Sequence, residues 1–314
     1  MTFRQIARDI SYASSAGSRA SRVLIRTLEN VTGRISLIRR ARGYEDEVAA
    51  GGDFWEVICN RYGITMDIRS GSLDAIPRTG PVIVVANHPY GILDGLMMGR
   101  MLSARRGGDF RILAHRVFRK SPDLEKVILP ISFDDTKEAA RQNLETRAEA
   151  LRYLGQGGAI GVFPGGTVST SARVFDPPLD PTWRNFTAKM ITRSNATVVP
   201  VFFEGANSGL FQIASRVHYT LRLGMLIREF KTRVNQPVRI HVGQPVLQER
   251  LAEFRADPTA MMDFLRRVTY ELSPDPVETG RIGHEFEARY RMRRQESSHG
   301  GGHIRQRARR ADRP

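Results

Sequence analysis

Cysteine is almost missing from this chain: Cys59 is the only one in 314 residues. That excludes an intramolecular disulfide framework and a cysteine-built metal cluster, and it fits a reducing compartment. Cys59 itself reads as an ordinary buried small residue. No run of about 18 or more uncharged apolar residues occurs, so no membrane-spanning helix is expected. The opening "MTFRQIARDISYASSAGSRAS" lacks the apolar centre of a secretory signal. No Gly-x-Ser-x-Gly segment occurs, so the chain offers no nucleophile elbow. Acids are also scarce, with 33 Asp and Glu against 48 Lys and Arg, a net charge of +15.

The excess is concentrated at the two ends. Residues 1–44 hold nine arginines against Asp9 and Glu29, and residues 291–314 hold eight against Glu296 and Asp312. What remains for the long middle is a surplus of only two. Basic arms on a balanced globule suit anionic lipid or nucleic acid. The expected organisation is therefore a basic N-terminal helical region (1–44), a catalytic-sized domain (45–275) and a basic, largely disordered tail (276–314). "SSHGGGHIRQRARRADRP" has almost no apolar content with which to pack, and Pro274 and Pro276 mark the end of the packed part.

Within the first region, Leu24, Leu28, Val31, Ile35 and Ile38 recur at helical spacing, and Arg22, Arg26, Arg34, Arg39, Arg40 and Arg42 fill much of the rest. This predicts a basic amphipathic helix interrupted at Gly33, packed on its own domain, lying in a membrane interface, or both. From residue 45 onward helices and strands alternate. "DEVAAGGDFWEVICNRYG", "LDGLMMGRMLSAR", "TKEAARQNLETRAEALRYLGQGG" and "DPTWRNFTAKMITRSN" read as helices, the last opened by Asp180 as cap and Pro181 at its first position. "ITMDIR", "PVIVVA", "KVILPISF", "AIGVFP", "ATVVPVFFEG" and "PVRIHVGQPV" read as strands. Pro200 within its strand predicts a bulge or an edge position. "VLQERLAEFR" and "PTAMMDFLRRVTYEL" read as helical. The expected fold is α/β, a mostly parallel mixed sheet flanked by helices.

Ligands in such sheets collect at the carboxyl ends of strands, and three segments leave buried strands there: "NHPYGILDG", "FPGGTVSTS" and "PVFFEGANSG". His88 sits at a strand end with Asp94 six residues on. On one continuous helix those positions are rotated by about 240° and cannot meet. They meet if His88 and Pro89 are loop, Gly91 turns sharply, and a helix starts near Ile92 or Leu93 with Asp94 in its first turn. A carboxylate facing Nδ1 would fix the tautomer and leave Nε2 free as a base toward an alcohol. A lone histidine such as His115, His218, His241, His284, His299 or His303 is more often structural. No second histidine stands at metal-ligand spacing from His88, so no metal is expected.

These segments resemble the lysophospholipid acyltransferases, the glycerolipid acyltransferase superfamily. That family carries Asn-His, four spacers and Asp, then Phe-Pro-Glu-Gly-Thr-Arg-Ser, then a Val-Pro strand. Here they stand in the same order as "NHPYGILDG", "FPGGTVST" and "TVVPVFFEG", over roughly residues 64–245. The likeness is closer to a five-spacer branch, "NHPxGxxDG" followed by "G-x-NS", matched by Asn87 to Gly95 and Gly205 to Ser208. That branch includes lyso-ornithine-lipid acyltransferases and acyltransferases carrying a haemolysin label.

The resemblance implies His88 and Asp94 as catalytic. It implies Asn87, Gly91, Phe163, Pro164, Gly165, Gly166, Thr167, Ser169, Asn207 and Ser208 around the substrate, with no cofactor beyond acyl-CoA or acyl carrier protein as donor. It implies a lyso-lipid acceptor and a peripheral place on the cytoplasmic face of the inner membrane, with no nucleic acid. Two departures matter. Gly165 and Val168 stand where the family has Glu and Arg, and "VILPISFDD" ends in Asp134 and Asp135 where an arginine is usual. The acceptor's phosphate therefore lacks expected cations, with Lys189 or Arg173 as candidate replacements. A non-catalytic protein binding membrane or nucleic acid through the basic arms is the alternative.

Overall fold

Val82 to Ala86 form a strand, β2, in which every residue is buried. Its side chains alternate between two cores: Val82, Val84 and Ala86 enter one, Ile83 and Val85 the other. A strand buried on both faces needs apolar residues at every position, which is why the run shows no polar alternation. In this computed structural model the described residues are 11–13, 18–115, 118, 122–132, 136–173 and 175–286. Asp134, Asp135, the first ten residues and residues 287–314 lie outside them.

Seven strands form the sheet: β1 (Thr65–Ser70), β2 (Val82–Ala86), β3 (Phe110–His115), β4 (Ile128–Ile131), β5 (Ala159–Val162), β8 (Thr197–Phe203) and β9 (Pro237–Val242), in the order β1-β9-β8-β2-β5-β3-β4. A short antiparallel pair, β6 (Thr170–Ser171) and β7 (Pro178–Leu179), stands apart. The run from β8 to β4 is parallel, while β9 turns antiparallel to β8 and carries β1 parallel to itself. The expected mostly parallel mixed sheet is therefore present. It also contains β3, whose "FRILAH" the strand pattern passed over.

Helices cover both faces. One layer holds α1 (Arg19–Thr32), α2 (Arg34–Ala41), α3 (Tyr44–Ala49), α4 (Phe54–Tyr62), α5 (Ile92–Arg106) and α10 (Tyr219–Thr232), whose buried side chains share the first core. The other holds α7 (Lys137–Gly155), α8 (Phe186–Ser194) and α12 (Pro258–Tyr270). Helix α9 (Gly209–Val217) adds Phe211 to the first core, α11 (Gln248–Ala252) adds Leu251 to the second, and the short α6 (Pro122–Glu125) precedes β4.

Three expectations are corrected and one is resolved. The helix read across residues 46–63 is two helices, because Gly51 at φ +99 breaks it and Gly52 packs against the Glu47 carbonyl. The helix read from Asp180 begins at Phe186, and Asp180 is fully buried instead of capping it. Of the two readings of Pro200, bulge or edge, the bulge holds, since its strand is interior. The ladder from β9 slips register opposite it, between Val201↔Val242 and Val198↔Val246, so no partner needs the missing N–H. The packed body also runs past residue 275: Gly283 N–H donates to Asp180 O, His284 N–H to Thr170 O, and Glu285 pairs with Arg184.

The N-terminal basic helix is present, broken at Gly33 with φ +125. Its stripe does not face inward as a unit. Ile38 is buried, but Leu24, Val31 and Ile35 are exposed, and Ile25 and Leu37 hold the helices to the body. On the far edge, His241 bonds Ser70 Oγ at 2.8 Å and Glu204 Oε1 at 2.6 Å, a structural histidine tying β1 to the end of β8.

Gly99 on α5 lies flat against Trp55, and a Cβ there would stand 2.2 Å from the indole ring. Gly99→Ala is expected to lower unfolding stability by about 1–3 kcal/mol through overpacking, read as a lower denaturant midpoint. An unchanged midpoint would show that Trp55 has room to move.

Candidate active site

Strands β8, β2 and β5 are neighbours and run the same way. Their carboxyl ends therefore deliver "FFEGANS", "NHPYG" and "FPGGT" to one edge of the sheet. Asn87 locks the first two together. Its Nδ2 donates to Phe203 O at 2.9 Å and its Oδ1 accepts from Phe203 N–H at 2.7 Å. The side-chain amide of Asn87 is thus engaged by backbone.

The chain then turns as the His–Asp spacing requires. Gly91 adopts φ +90, α5 begins at Ile92, and Asp94 lies in its first turn. Asp94 Oδ2 accepts the N–H groups of Tyr90 and Gly91, each at 2.8 Å. These are donors that a helix start leaves unpaired. The same oxygen stands 2.9 Å from His88 Nδ1, off the axis of a straight hydrogen bond. Asp94 is fully buried, whereas the His88 side chain keeps 17% of its surface open. His88 Nε2 has no hydrogen-bond partner among the described residues. Burial pushes the Asp94 carboxyl above the ordinary aspartate range, against the opposing pull of His88 and the two turn N–H groups.

The imidazole is held from other sides too. Phe163, first residue after β5, stacks on it with centroids 4.2 Å apart. The His88 backbone is bracketed: its N–H donates to Asp180 Oδ1 at 3.1 Å, and its carbonyl accepts from Ser169 N–H at 2.7 Å. Ser169 Oγ and Trp183 Nε1 also donate to Asp180. Asp180, read from sequence as a helix cap, is instead a buried hub joining the histidine segment to the "FPGGT" loop.

That loop turns at Gly166, φ +71, whose N–H donates to Phe163 O. Pro164 is buried, its carbonyl accepting from Arg184 N–H. A Cβ on Gly165 would lie 3.3 Å from both Asp180 Cβ and Pro181 Cδ, so the glutamate usual in the resembling family has little room. Thr167 is half-buried, and its Oγ1 accepts from Arg222 at 2.8 Å. Asn207 Nδ2 donates to Tyr90 O at 3.3 Å, and Ser208 caps α9 while donating to Glu229. Gly205, φ +96, lies over the Tyr90 hydroxyl, which donates to Glu204 O at 2.6 Å.

Arg222 on α10 escaped the sequence reading. Its guanidinium is buried and donates to Thr170 Oγ1 at 2.7 Å, Thr167 Oγ1 and Val168 O. The rings of Phe211 and Phe286 cover it. Burial pushes its pKa down to about 10, so it stays charged at neutral pH. Among the described residues no carboxylate pairs with it. The one signal was an arginine inside the apolar stretch "YTLRLGML". Lys189 and Arg173, the candidates named for that charge, are exposed. Among the described residues no three His, Cys, Asp or Glu stand close enough to hold a metal ion.

The sequence family described as acyltransferase matches residues 13–276 of this chain. Lyso-glycine lipid O-acyltransferase of Phocaeicola vulgatus is 22% identical over 228 residues, which cover 71% of this chain and 78% of that protein. Among solved structures, the 1-acyl-sn-glycerophosphate (LPA) acyltransferase PlsC of Thermotoga maritima aligns with a TM-score of 0.46 and 14% identity, over 82% of this chain and 98% of its own.

A carboxyl whose pKa is raised in the folded state favours folding most at low pH, and that contribution fades as pH climbs through the folded value. Asp94→Asn cannot ionise. Its melting temperature is expected to rise relative to wild type between about pH 4 and neutrality. Melting curves across that range check this. A flat difference would mean that the donors around Oδ2 fully offset the burial.

Proposed function

The chain belongs to the acyltransferase family, and from that premise we propose that it is an O-acyltransferase moving a fatty acyl chain from a thioester to a hydroxyl of a lyso-lipid. The observation that carries this is His88 Nδ1 set 2.9 Å from the buried Asp94 carboxylate while Nε2 is left unpaired and reachable. Nε2 removes the proton from the acceptor hydroxyl as its oxygen attacks the thioester carbonyl. Asp94 orients the ring and stabilises the imidazolium that forms. The new C–O bond forms, the C–S bond breaks, and the proton passes from Nε2 to the departing thiolate.

Transfer is direct. Cys59 is buried and its thiol is pushed up to about 12, so it is not a thiolate nucleophile. Ser169 is buried with its hydroxyl engaged by Asp180. The backbone N–H groups of Gly165 and Thr167, on either side of the Gly166 N–H that Phe163 O already engages, are the candidate partners for the carbonyl oxygen. Donor and acceptor meet at the cytoplasmic membrane face, with acyl-CoA or acyl carrier protein bringing the thioester. No helix among the described residues is long and apolar enough to cross a membrane. The exposed side chains Leu24, Val31 and Ile35, set among arginines, support a peripheral contact.

The acceptor is an aminolipid of the lyso-glycine or lyso-ornithine type. Two features support it: the absence of the loop's usual cation at Val168, and the lyso-glycine lipid named for the 22%-identical relative.

His88→Ala is expected to reduce transfer by about 10²–10⁴-fold or more with the fold intact. Wild-type turnover in that variant would remove His88 as the base, and no transfer by the wild type with any lyso-lipid would favour a non-catalytic binding protein. Labelled acyl donor offered with each lyso-lipid in turn should give more product with lyso-glycine or lyso-ornithine lipid than with lysophosphatidate. The reverse order would overturn the acceptor assignment.

A further inference from the structure

Eight of the eleven large apolar side chains left exposed among the described residues lie on one set of helices. Apart from Leu144, Phe175 and Leu247, they belong to α1, α2, α9 and the first residue of α10. Helix α9 is the part that the basic N-terminal pattern did not foresee. Leu210, Ile213 and Val217 recur at helical spacing and are 53%, 54% and 68% exposed, while Phe211, Gln212 and Ser215 face inward.

We infer that α9 is a second lipid-contacting helix, whose Leu210, Ile213 and Val217 enter an anionic bilayer surface beside α1. The inference rests on the lipid-substrate reading above for its purpose, and three observations carry it.

The charges are of one sign. The only carboxylates on α1, α2, α9 and α10 are Glu29 and Glu229, and both are buried. Arg19, Arg22, Arg39, Arg40 and Arg216 remain exposed on the same helices. An apolar face bordered by arginines and free of exposed acids is complementary to anionic headgroups. A protein partner of ordinary mixed charge would find no cation-seeking and acid-seeking positions interleaved.

The faces are continuous. Helix α10 packs against both α1 and α9. Gly224 admits Leu28 and Ile25 of α1, and further along Lys231 reaches Gly33. The two helices therefore run side by side in the same direction. This puts Val23 and Leu24, at the start of α1, toward the same end as Tyr219, which follows Val217 by two residues.

The face adjoins the site. Helix α9 is capped by Ser208, and its neighbour Asn207 bonds the carbonyl of Tyr90, two residues from His88. A lipid acceptor lying in the bilayer under α9 could present its hydroxyl to Nε2 without leaving the membrane.

The test uses the full-length protein and vesicles of phosphatidylglycerol and phosphatidylethanolamine, with phosphatidylcholine vesicles as the uncharged control. Ile213→Glu with Val217→Glu should keep the wild-type circular dichroism and lower the partition onto anionic vesicles by at least about tenfold. Ile213→Cys carrying a nitrobenzoxadiazole label should shift its emission to the blue on vesicles. Native Cys59 is buried and will not compete for the label. Unchanged partition of the Glu pair, or an aqueous emission spectrum from vesicle-bound labelled protein, overturns the inference. So does a lipid-free dimer in which a second copy shields the label. Should the Glu pair fail to fold, the label at position 213 decides alone. Loss of the lipid-substrate reading would appear elsewhere, as no acyl transfer by the wild type to any lyso-lipid offered.

Discussion

Everything at the site depends on one oxygen, Oδ2 of Asp94. It gathers the N–H groups of Tyr90 and Gly91 and faces Nδ1 of His88. Without the first two contacts, the chain leaving β2 would have no reason to reverse so tightly into α5. Without the third, the ring would have no fixed tautomer. Start of helix and orientation of base are thus a single electrostatic arrangement, and it demands a carboxylate at full burial. The raised pKa of Asp94 shows the cost of that placement. The fold accepts a buried charge here because the unpaired N–H groups of the helix start are already present to receive it.

A second buried carboxylate, Asp180, does for the histidine's backbone what Asp94 does for its ring. It takes the His88 N–H and the Ser169 hydroxyl, while Ser169 N–H returns to the His88 carbonyl. Two segments some eighty residues apart in sequence, carried on adjacent strands β2 and β5, are therefore fixed in mutual register beyond the end of the sheet. Phe163 closes the arrangement by stacking on the imidazole. The imidazole is immobilised through ring face, ring nitrogen and main chain together, as the proposed role of a preorganised proton acceptor requires.

What could be read in the sequence follows from how local each constraint is. The turn that brings His88 to Asp94 is legible because a six-residue spacing, a glycine and a helix start leave few solutions. Strands β2, β5 and β8 are legible because burial on both faces forces unbroken apolar runs. Asp180 was misread because "DP" before a helical pattern is also how a capped helix begins, and only tertiary contact reveals which use is made of the carboxylate. Pro200 was read as bulge or edge from its missing N–H alone. The slip in β9 that removes the need for that N–H lies more than forty residues away. Strand β3 was passed over because Arg111 and His115 make it look half-polar, although its neighbours on both sides bury it. Arg222 gave only a weak signal, an arginine inside the apolar stretch "YTLRLGML", which does not say whether that arginine points inward or out.

Arg222 also explains how the loop does without the polar residues of the family it resembles. At position 165 the neighbouring Asp180 and Pro181 leave little room for a long acid, and at 168 the valine keeps the loop apolar toward Gly91. The positive charge arrives from α10 instead and meets the carbonyl of Val168 itself. A relocated charge is not an equivalent one. Three of the guanidinium's five N–H donors are engaged by Thr167, Val168 and Thr170, and two aromatic rings close over it. It can stiffen the turn and raise the potential beneath it, but it cannot fork around a phosphate as an open arginine does. On the proposed mechanism the loop still presents backbone N–H groups toward the acyl carbonyl but offers no open cation to a dianionic headgroup. That separation of acyl transfer from phosphate recognition is the physical basis for proposing an aminolipid acceptor.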